Sequence, residues 1–422
     1  MSTVEMIGQK ALEGLGLGQL MRPKALKGVR VADFGWVLAG PYATMLLSYL
    51  GAEVIKIESR RRIDEQRVAH RAGLSENFES SSNFLEINLG KRSVSINLSK
   101  PEGAELARKL VAISDVVIEN MRPGVMDRLG LGYKDLVNVK PDIIMASISG
   151  WGSKGPLRSY TAYAPCFSSF SGVANLTGYA DEEPNTGTSS NDARSGTAAA
   201  FAVLMALIIR QRTGKGQYID ISSCEALDSL VGDRIMEYMI TGHSPMRSGN
   251  QDAGMSPHGC YRCKGEDKWI SIAVATDKEW DELRRIMGYP GCIDDPRFAS
   301  RAGRWENRNY LDALVEEWTV QHDASELMEL LQEHGIAAIP SFSADDLFSN
   351  PHLLERGAIT ETEHSVLGKR KAIGPPWKMT ATPPEIVRTA PLLGEDNQYV
   401  LCKLLGLSEE EVKRLAAEQV VY

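Results

Sequence analysis

The sequence has no surplus of positive charge. Its 422 residues include 47 Lys and Arg against 55 Asp and Glu, a formal net charge of −8. This balance disfavours a general nucleic-acid binder, although a local basic pocket for a phosphorylated ligand is compatible with it. The longest apolar run, residues 196–209, is too short to span a bilayer and ends at Arg210. It predicts a buried helix, and we expect no membrane partner.

Cysteine is sparse, and the first 27 residues have no apolar block of the kind found in a signal peptide. The six cysteines are widely scattered, which suits the reducing cytoplasm better than a disulfide scaffold. Cys260 and Cys263 form a CxxC, but no second pair and no close His completes a metal site. We therefore predict a cytoplasmic protein without a metal.

Common nucleotide-binding motifs are also missing. After the first predicted strand, a Rossmann dinucleotide site would carry GxGxxG, whereas this chain has Gly35-Trp-Val-Leu-Ala-Gly40-Pro41. No P-loop is present either. One glycine before a helix can still offer backbone N–H groups to an anion.

What the sequence does contain is a regular alternation of β-like and helical segments. The pattern predicts strands at 28–34, 53–57, 93–98, 115–119 and 143–149, with helices at 41–50 and 101–113 between them. Strands that alternate with helices predict an α/β fold with a parallel, Rossmann-like sheet covered on both faces.

The rhythm changes after about residue 230. A β-like piece at 269–274 and an amphipathic helix at 277–287 predict a smaller α+β domain over 230–322. Segments 324–333, 337–341 and 408–419 favour a return to the α/β domain. The predicted division is therefore 1–229 for the first part of the large domain, 230–322 for the small domain and 323–422 for the return segment.

Several short motifs follow one another along the chain. They are Val31-Ala-Asp-Phe34 with Ala39-Gly-Pro41, Leu50-Gly-Ala-Glu-Val-Ile-Lys-Ile-Glu58, Asp115-Val-Val-Ile-Glu-Asn-Met-Arg-Pro-Gly124, Ser149-Gly-Trp-Gly152 and Arg212-Thr-Gly-Lys-Gly-Gln217. In this order the motifs resemble the family III CoA transferases, which include the formyl-CoA and carnitine-CoA transferases. Each motif is weak alone, but together they cover the chain from Gly28 onward. The resemblance implies an enzyme that moves CoA between carboxylic acids, with CoA thioesters as substrates and no permanently bound cofactor.

The resemblance also implies a set of CoA contacts. CoA carries a 3′-phosphate, a pyrophosphate and an adenine, so its site needs helix N-termini, cations and an apolar slot. The implied contacts are Trp36, Val37, Ala39, Arg60, Ile96, Asn120, Met121, Val125 and Arg128. Arg60 and Arg128 could instead be solvated surface cations, Asn120 a turn residue and Trp36 ordinary core packing.

Asp192 matches the position of the family's nucleophile. It lies between Thr177-Gly178 and Gly196, which opens the apolar helix, with one residue fewer between the turn and the Asp than the family pattern has. A carboxylate there would attack the donor thioester and form an enzyme-bound anhydride. Asp192 could instead cap the helix, as Asp often does. Asp181 is the competing carboxylate, but Glu-Glu-Pro follows it and favours an exposed loop.

Some positions depart from the family pattern. The family's racemases use a His and an Asp, but this chain has Ala164 at the Asp position and no His between His70 and His243, which excludes a racemase. The Gly-rich loop that covers the acyl intermediate in formyl-CoA transferase corresponds to residues 250–258, where one glycine is left. The active site could therefore be modified or idle.

Trp36 and Leu38 replace the family's His and Gln and would suit a bulky, apolar acyl group. Within the family, the chain resembles the subunits of succinyl-CoA:(R)-benzylsuccinate CoA transferases from anaerobic toluene degradation. This similarity implies transfer from succinyl-CoA to an aromatic-substituted succinate. It also implies either an interlocked dimer or a heteromer with a homologous subunit, in which this chain could be a non-catalytic CoA-binding scaffold.

Overall fold

The computed structural model of the chain describes residues 23–68, 77–187, 190–288 and 295–422. His70 and Cys292 lie outside these ranges. The described residues form two compact units. The first contains the chain up to Val173, then Thr186–Met236 and Leu354–Tyr422, and the second contains Ala174–Asn185 and Glu237–Leu353.

The strands within the described residues are numbered in chain order. They are β1 Arg30–Phe34, β2 Glu53–Glu58, β3 Arg92–Ser95, β4 Val116–Glu119, β5 Ile144–Ser149, β6 Tyr218–Ser222, β7 His258–Arg262, β8 Trp269–Ala273, β9 Ala337–Pro340, β10 Ile359–His364 and β11 Gly368–Ile373.

The helices are numbered in the same way. They are α1 Ala39–Tyr49, α2 Glu65–Val68, α3 Ser82–Ile87, α4 Pro101–Ala112, α5 Val125–Arg128, α6 Tyr133–Val139, α7 Ala164–Phe170, α8 Val173–Leu176, α9 Ser190–Thr213, α10 Ser223–Asp228, α11 Gly232–Thr241, α12 Asp277–Met287, α13 Arg301–Glu306, α14 Arg308–Thr319, α15 Ala324–Glu333, α16 Ala344–Ser349, α17 Pro351–Glu355 and α18 Glu409–Ala417. Short 3₁₀ helices span Phe78–Ser80 and Pro296–Phe298, and a π-helix spans Tyr399–Leu404.

The first unit is built on a parallel six-stranded sheet in the order β3-β2-β1-β4-β5-β6. This is the strand order of Rossmann folds, so the predicted α/β class is confirmed. The direction of the order reverses between β1 and β4, and such a reversal opens a crevice at the carboxyl ends of the strands. The second unit has an antiparallel sheet in the order β7-β8-β9.

Both faces of the parallel sheet are buried. Val31, Val116 and Ile118 pack on one face against apolar residues of α1 and α9. Ala32 and Val117 pack on the other face with residues of α4 and with Val420 and Val421. Successive residues of a strand point to opposite faces, which explains why these strands are apolar almost throughout.

Helix α9 extends beyond the apolar run that predicted it. Its small residues Gly196, Ala199 and Val203 are buried, whereas Phe201, Met205, Ile208 and Ile209 are 42–67% exposed. The prediction of a buried helix is therefore correct for one face and wrong for the other. By length and composition alone, this 24-residue helix could cross a membrane.

Two further features differ from the sequence-based expectations. Strand β6 is absent from the predicted strands. Strand β9 pairs with β8 in the second unit, and the chain returns to the first unit at Leu354, beyond the predicted limit of 322. The domain limits at 229 and 322 stay a prediction.

Candidate active site

A cavity of about 840 Å³ lies at the carboxyl ends of the strands in the first unit. Its wall consists of the end of β2 and of the segments that follow β1 to β5. The lining residues are Trp36, Val37, Ile57, Glu58, Ser59, Arg61, Arg62, Glu65, Ile96, Asn97, Leu98, Ser99, Asn120, Met121, Arg122, Val125, Leu129, Thr161, Ala162 and Tyr163. Because the segments after β1 and β4 both contribute, the cavity occupies the crevice where the strand order reverses.

The cavity brings together six of the nine CoA contacts that the resemblance implies: Trp36, Val37, Ile96, Asn120, Met121 and Val125. The other three lie elsewhere. Ala39 is buried in the first turn of α1, and Arg60 and Arg128 have exposed side chains that are not among the described lining residues.

The arginines that do line the cavity are Arg61, Arg62 and Arg122, which the sequence reasoning missed. The Arg62 guanidinium lies over the Trp36 ring, 4.6 Å from its centroid. Such a cation–π pair places a flat apolar surface and a positive charge side by side. This combination suits a ligand that carries both a ring and phosphates.

Asn120 holds the segment that follows β1. Its amide oxygen accepts from the Trp36 N–H at 2.7 Å, and its amide nitrogen donates to the Trp36 carbonyl at 2.7 Å. Both functional groups of the side chain are thus occupied by one residue. Asn120, itself a lining residue, thus fixes the position of Trp36 in the wall.

Glu119, at the end of β4, is a further residue that the sequence reasoning missed. It is 6% exposed, and it accepts from the Met121 N–H at 2.7 Å. Burial raises the pKa of Glu119 to about 7, although the hydrogen bond from Ser147 opposes the shift. Glu119 thereby fixes the backbone of Met121, a lining residue.

The wall after β3 is closed by a distant part of the chain. Ile96 forms an isolated antiparallel bridge with Val421, and the Asn97 N–H donates to the Val420 carbonyl at 2.8 Å. Val420 and Val421 are both buried. The contacts join residues that are more than 300 positions apart in the sequence.

Asp192 lies in the first turn of α9, and Gly196 brings that helix onto α1. A Cβ atom at Gly196 would lie 2.6 Å from the Ala39 carbonyl oxygen and 3.1 Å from the Ala43 nitrogen, so only glycine permits this approach. One turn of helix spans about 5.4 Å. Asp192, four residues earlier, therefore lies about one turn from the start of α1.

A second contact ties this helix to the opposite wall. The Asn191 side chain donates to the Ala164 carbonyl at 3.0 Å. Ala164 directly follows the lining residue Tyr163, just as Ala39 closely follows the lining residue Val37. Asp192 is not among the described lining residues, but its helix contacts the first residues of α1 and α7, each of which begins close to a lining residue.

The Asp192 carboxyl group is half-buried. Burial raises its pKa to about 6. No described residue donates a hydrogen bond to this carboxyl group. Asp181, the competing carboxylate, is exposed and lies in the second unit. The segment 250–258, which leads into β7, belongs to the same unit.

Comparison with known proteins identifies the family. The model of CoA-transferase family III matches residues 26–397. The chain belongs to CoA-transferase family III. The relatives that this chain matches are named as CoA transferases, enzymes that move CoA between carboxylic acids and use CoA thioesters as substrates, and this chain is a family III CoA transferase.

Similar proteins cover almost the whole chain. It is 34% identical to succinyl-CoA–D-citramalate CoA-transferase of Chloroflexus aurantiacus, over 94% of this chain and 98% of that protein. It is 33% identical to the alpha subunit of succinyl-CoA–L-malate CoA-transferase of Chloroflexus aurantiacus, over 96% and 94%. A crystal structure of a CAIB/BAIF family protein from Brucella suis has a TM-score of 0.83 and 32% identity, over 90% of this chain and 99% of that one.

Proposed function

We propose that this CoA transferase moves CoA from succinyl-CoA to a substituted succinate, with Asp192 as the carboxylate that carries the acyl group. The observation that supports this best is the environment of Asp192. The carboxyl group is half-buried, burial raises its pKa to about 6, and it lies in the first turn of a helix that contacts α1 and α7 where each begins beside the cavity wall. The cavity would hold CoA, with Arg61, Arg62 and Arg122 near its phosphates.

The reaction proceeds by four exchanges at carbonyl carbons. The Asp192 carboxylate attacks the thioester, CoAS⁻ leaves, and a mixed anhydride forms. CoAS⁻ then attacks the aspartyl carbonyl and releases succinate, which leaves an aspartyl-CoA thioester. The acceptor carboxylate attacks that thioester and expels CoAS⁻, which finally attacks the acceptor carbonyl and frees Asp192. No step needs a proton transfer, so the site has no need of a general acid or base.

The names of the relatives support the acceptor class. Citramalate and malate, which those enzymes are named for, are both succinates with small substituents. The sequence resemblance adds (R)-2-benzylsuccinate, a succinate with an aromatic substituent, and we propose it as the acceptor of this chain. Trp36 lies in the cavity wall and gives such a substituent an aromatic surface to pack on.

A trapping experiment tests the nucleophile. The chain is incubated with succinyl-CoA and hydroxylamine, and intact-protein mass is compared among wild type, Asp192→Ala and Asp181→Ala. Hydroxylamine converts an activated aspartyl group to a stable hydroxamate. We expect the adduct in wild type and in Asp181→Ala but not in Asp192→Ala. An adduct that persists in Asp192→Ala would assign the chemistry to another residue.

The second candidate function is a non-catalytic, CoA-binding scaffold subunit of a heteromeric transferase. The loss of glycines in residues 250–258 favours it, as does the alpha-subunit relative. The hydroxylamine experiment also distinguishes the two candidate functions. If wild type gives no adduct, alone or with a homologous subunit supplied, while CoA still binds, the scaffold function is correct.

We also propose that a homologous chain covers the apolar face of α9. Phe201, Met205, Ile208 and Ile209 recur at helical spacing and form one exposed stripe. A second copy in an interlocked dimer, or a homologous subunit in a heteromer, would bury them. If another protein chain buries this stripe, no membrane is needed to cover it. The arrangement is therefore consistent with the predicted cytoplasmic enzyme that has no membrane partner.

A further inference from the structure

Val37 has a backbone conformation that is unfavourable for its side chain. Its φ is +60°, in the left-handed region. A β-branched residue rarely adopts this region, because its branched Cβ crowds the backbone. Val37 also lines the cavity. An unfavourable conformation in a cavity wall persists only where the surrounding structure enforces it.

The course of the chain explains why the strain falls on this residue. The segment after β1 turns back on itself, so that a Cβ atom at Gly40 would lie 2.9 Å from the Gly35 Cα. A Cβ at Gly35 would likewise lie 2.9 Å from the Gly40 carbonyl carbon. Both ends of the turn therefore require glycine for close approach, and Val37 at its apex takes the left-handed conformation.

Side chains occupy five consecutive backbone groups of this turn. The Gly35 N–H donates to Asp33 at 2.8 Å, and the Gly35 carbonyl accepts from Lys56 at 2.7 Å. The two polar backbone groups of Trp36 bind Asn120. The Val37 N–H donates to Asp64 Oδ1 at 3.3 Å. Because these backbone groups are hydrogen-bonded to side chains of other segments, those side chains hold the turn in its conformation.

Asp64 is itself held in place. It is 3% exposed, and Oδ1 also accepts from the Gln66 N–H at 3.0 Å. Its Oδ2 lies 3.2 Å from the ammonium group of Lys56, which is fully buried. That oxygen accepts no hydrogen bond of good geometry from the described residues, so the contact with Lys56 is an ion pair only. Lys56 thus holds the turn in two ways. It donates to the Gly35 carbonyl, and it orients the Asp64 carboxylate, which accepts from the Val37 N–H.

We propose that Asp64, together with Asn120, is a positioning residue that holds Val37 in its left-handed conformation and so presents the Trp36–Val37 wall to CoA. Neither side chain needs to touch the ligand for this role. The inference rests on the proposed binding of CoA in this cavity. It assigns to Asp64 an effect on CoA affinity that acts through the backbone of Val37.

The test is a double-mutant cycle with Val37→Gly. Glycine adopts a φ of +60° without strain, so the turn in the Val37→Gly variant needs no external restraint. We expect Asp64→Ala to weaken CoA binding about tenfold in the wild-type background but less than about threefold in the Val37→Gly background. Isothermal titration with CoA measures the affinity, and steady-state kinetics with succinyl-CoA show whether KM changes more than kcat.

A matched control separates positioning from stability. Asp396 is another buried aspartate of the first unit, but it pairs with Arg92 and Arg388 and does not bind the turn. We expect Asp396→Ala to lower Tm and to leave CoA affinity the same within about twofold. If Asp64→Ala is insoluble, Asn120→Ala replaces it in the cycle, because it removes an uncharged restraint from the same turn.

The outcomes are distinct. Rescue of CoA affinity by Val37→Gly supports the positioning role. An equal loss of affinity in both backgrounds would overturn it, since the effect would then not depend on the strain at Val37. A wild-type chain that binds no CoA would overturn both this inference and the proposed CoA site, whereas CoA binding without transfer would contradict only the proposed catalysis.

Discussion

The carboxyl group of Asp192 is under two opposing influences. Burial disfavours its ionised form and raises its pKa to about 6. The N-terminus of a long helix favours a negative charge, and Asp192 lies in the first turn of α9. At neutral pH the group is mostly ionised, as a nucleophile must be, and it is less solvated than a surface carboxylate.

Activity should therefore fall below pH 6. In the proposed mechanism only the ionised form of Asp192 attacks the thioester, so kcat/KM should decrease about tenfold per pH unit on the acid side of its pKa. The measurement is a pH profile of kcat/KM for succinyl-CoA between pH 5 and 8, with circular dichroism at each pH. Constant activity down to pH 5 would contradict the assignment.

Protonation of Asp192 would not unfold the protein, so unfolding caused by this residue would not explain a loss of activity below pH 6. The folded-state pKa of Asp192 lies above the ordinary value of 3.8. Its contribution to stability is therefore greatest at low pH and is lost as the pH rises through about 6.

Trp36 and Leu38 should determine the choice of acceptor. The double variant Trp36→His, Leu38→Gln replaces two apolar side chains with polar ones that are common in the family. We expect the ratio of kcat/KM for (R)-2-benzylsuccinate to that for L-malate to fall by about tenfold, the scale of a lost apolar contact. An unchanged ratio would show that the acyl pocket lies elsewhere.

Among single residues, the sequence predicted those that belong to motifs but not the residues that hold them in place. Trp36, Asn120 and Asp192 belong to short motifs that the resemblance exposes. Asp64 lies 27 positions after Val37, and nothing in a valine indicates a positive φ, so their contact could not be predicted. The three neighbouring arginines 60–62 were ambiguous because which of them faces the cavity depends on the turn after β2.

Helices α1 and α9 depend on a single glycine for their close contact. Gly196 lies against the backbone of Ala39 and Ala43, where α1 begins. This contact holds the first turn of α9, including Asp192, at its distance from the Trp36–Val37 wall. Packing between two helices thus sets the position of the proposed nucleophile.

Gly196→Ala should reduce both stability and activity. Alanine favours a helix by about 1 kcal/mol relative to glycine, but its Cβ would clash with the Ala39 carbonyl. Because backbone atoms cannot yield as a side chain can, we expect a loss of about 1–3 kcal/mol in the free energy of unfolding. We also expect a lower kcat with Asp192 displaced. Urea unfolding and steady-state kinetics measure the two effects.

Gly232→Ala is the matched control. Gly232 is an exposed helical glycine, and its Cβ would meet nothing within 4 Å. The same substitution should there leave stability unchanged or raise it by up to about 1 kcal/mol. If both variants behave alike, the close approach of α1 and α9 has no energetic role.

Among the strands of the parallel sheet, the buried ones could be predicted from the sequence and the partly exposed one could not. The inner strands β1, β2, β4 and β5 start or end within two residues of the prediction, because their near-continuous apolar runs reflect a sheet covered on both faces. Strand β6 lies at the edge of the sheet, and its first residues are partly exposed. Its sequence therefore has no clear apolar pattern.

For the whole molecule, the proposal that another chain covers the exposed stripe on α9 can be tested by the state of assembly. The wild-type chain, alone or with a homologous subunit, should sediment as a dimer or larger at micromolar concentration. Phe201→Glu with Met205→Glu should dissociate it, because charge on a buried interface is costly. Val387→Glu, at a single exposed apolar residue that is 61% accessible, is the control and should not. A fully active wild-type monomer, or wild type in the membrane fraction, would contradict the proposal.

The order of units along the chain was the hardest property to predict. Strand β9 has the length and composition of a strand in either sheet, and only its pairing with β8 places it in the second unit. Pairing partners depend on long-range contacts, which local periodicity does not encode. The alternation of strands and helices was enough to predict the class of fold but not where the chain changes unit.

The bridge between Ile96 and Val421 has a consequence for how the protein is made. A ribosome produces Ile96 long before Val421, so the nascent chain holds an unfinished cavity wall for most of its synthesis. During that interval the apolar surface that Val420 and Val421 later cover is open to water and to chaperones. We therefore expect a chain truncated before Val420 to lack the contacts that close the wall after β3, and with them the CoA binding proposed for this cavity.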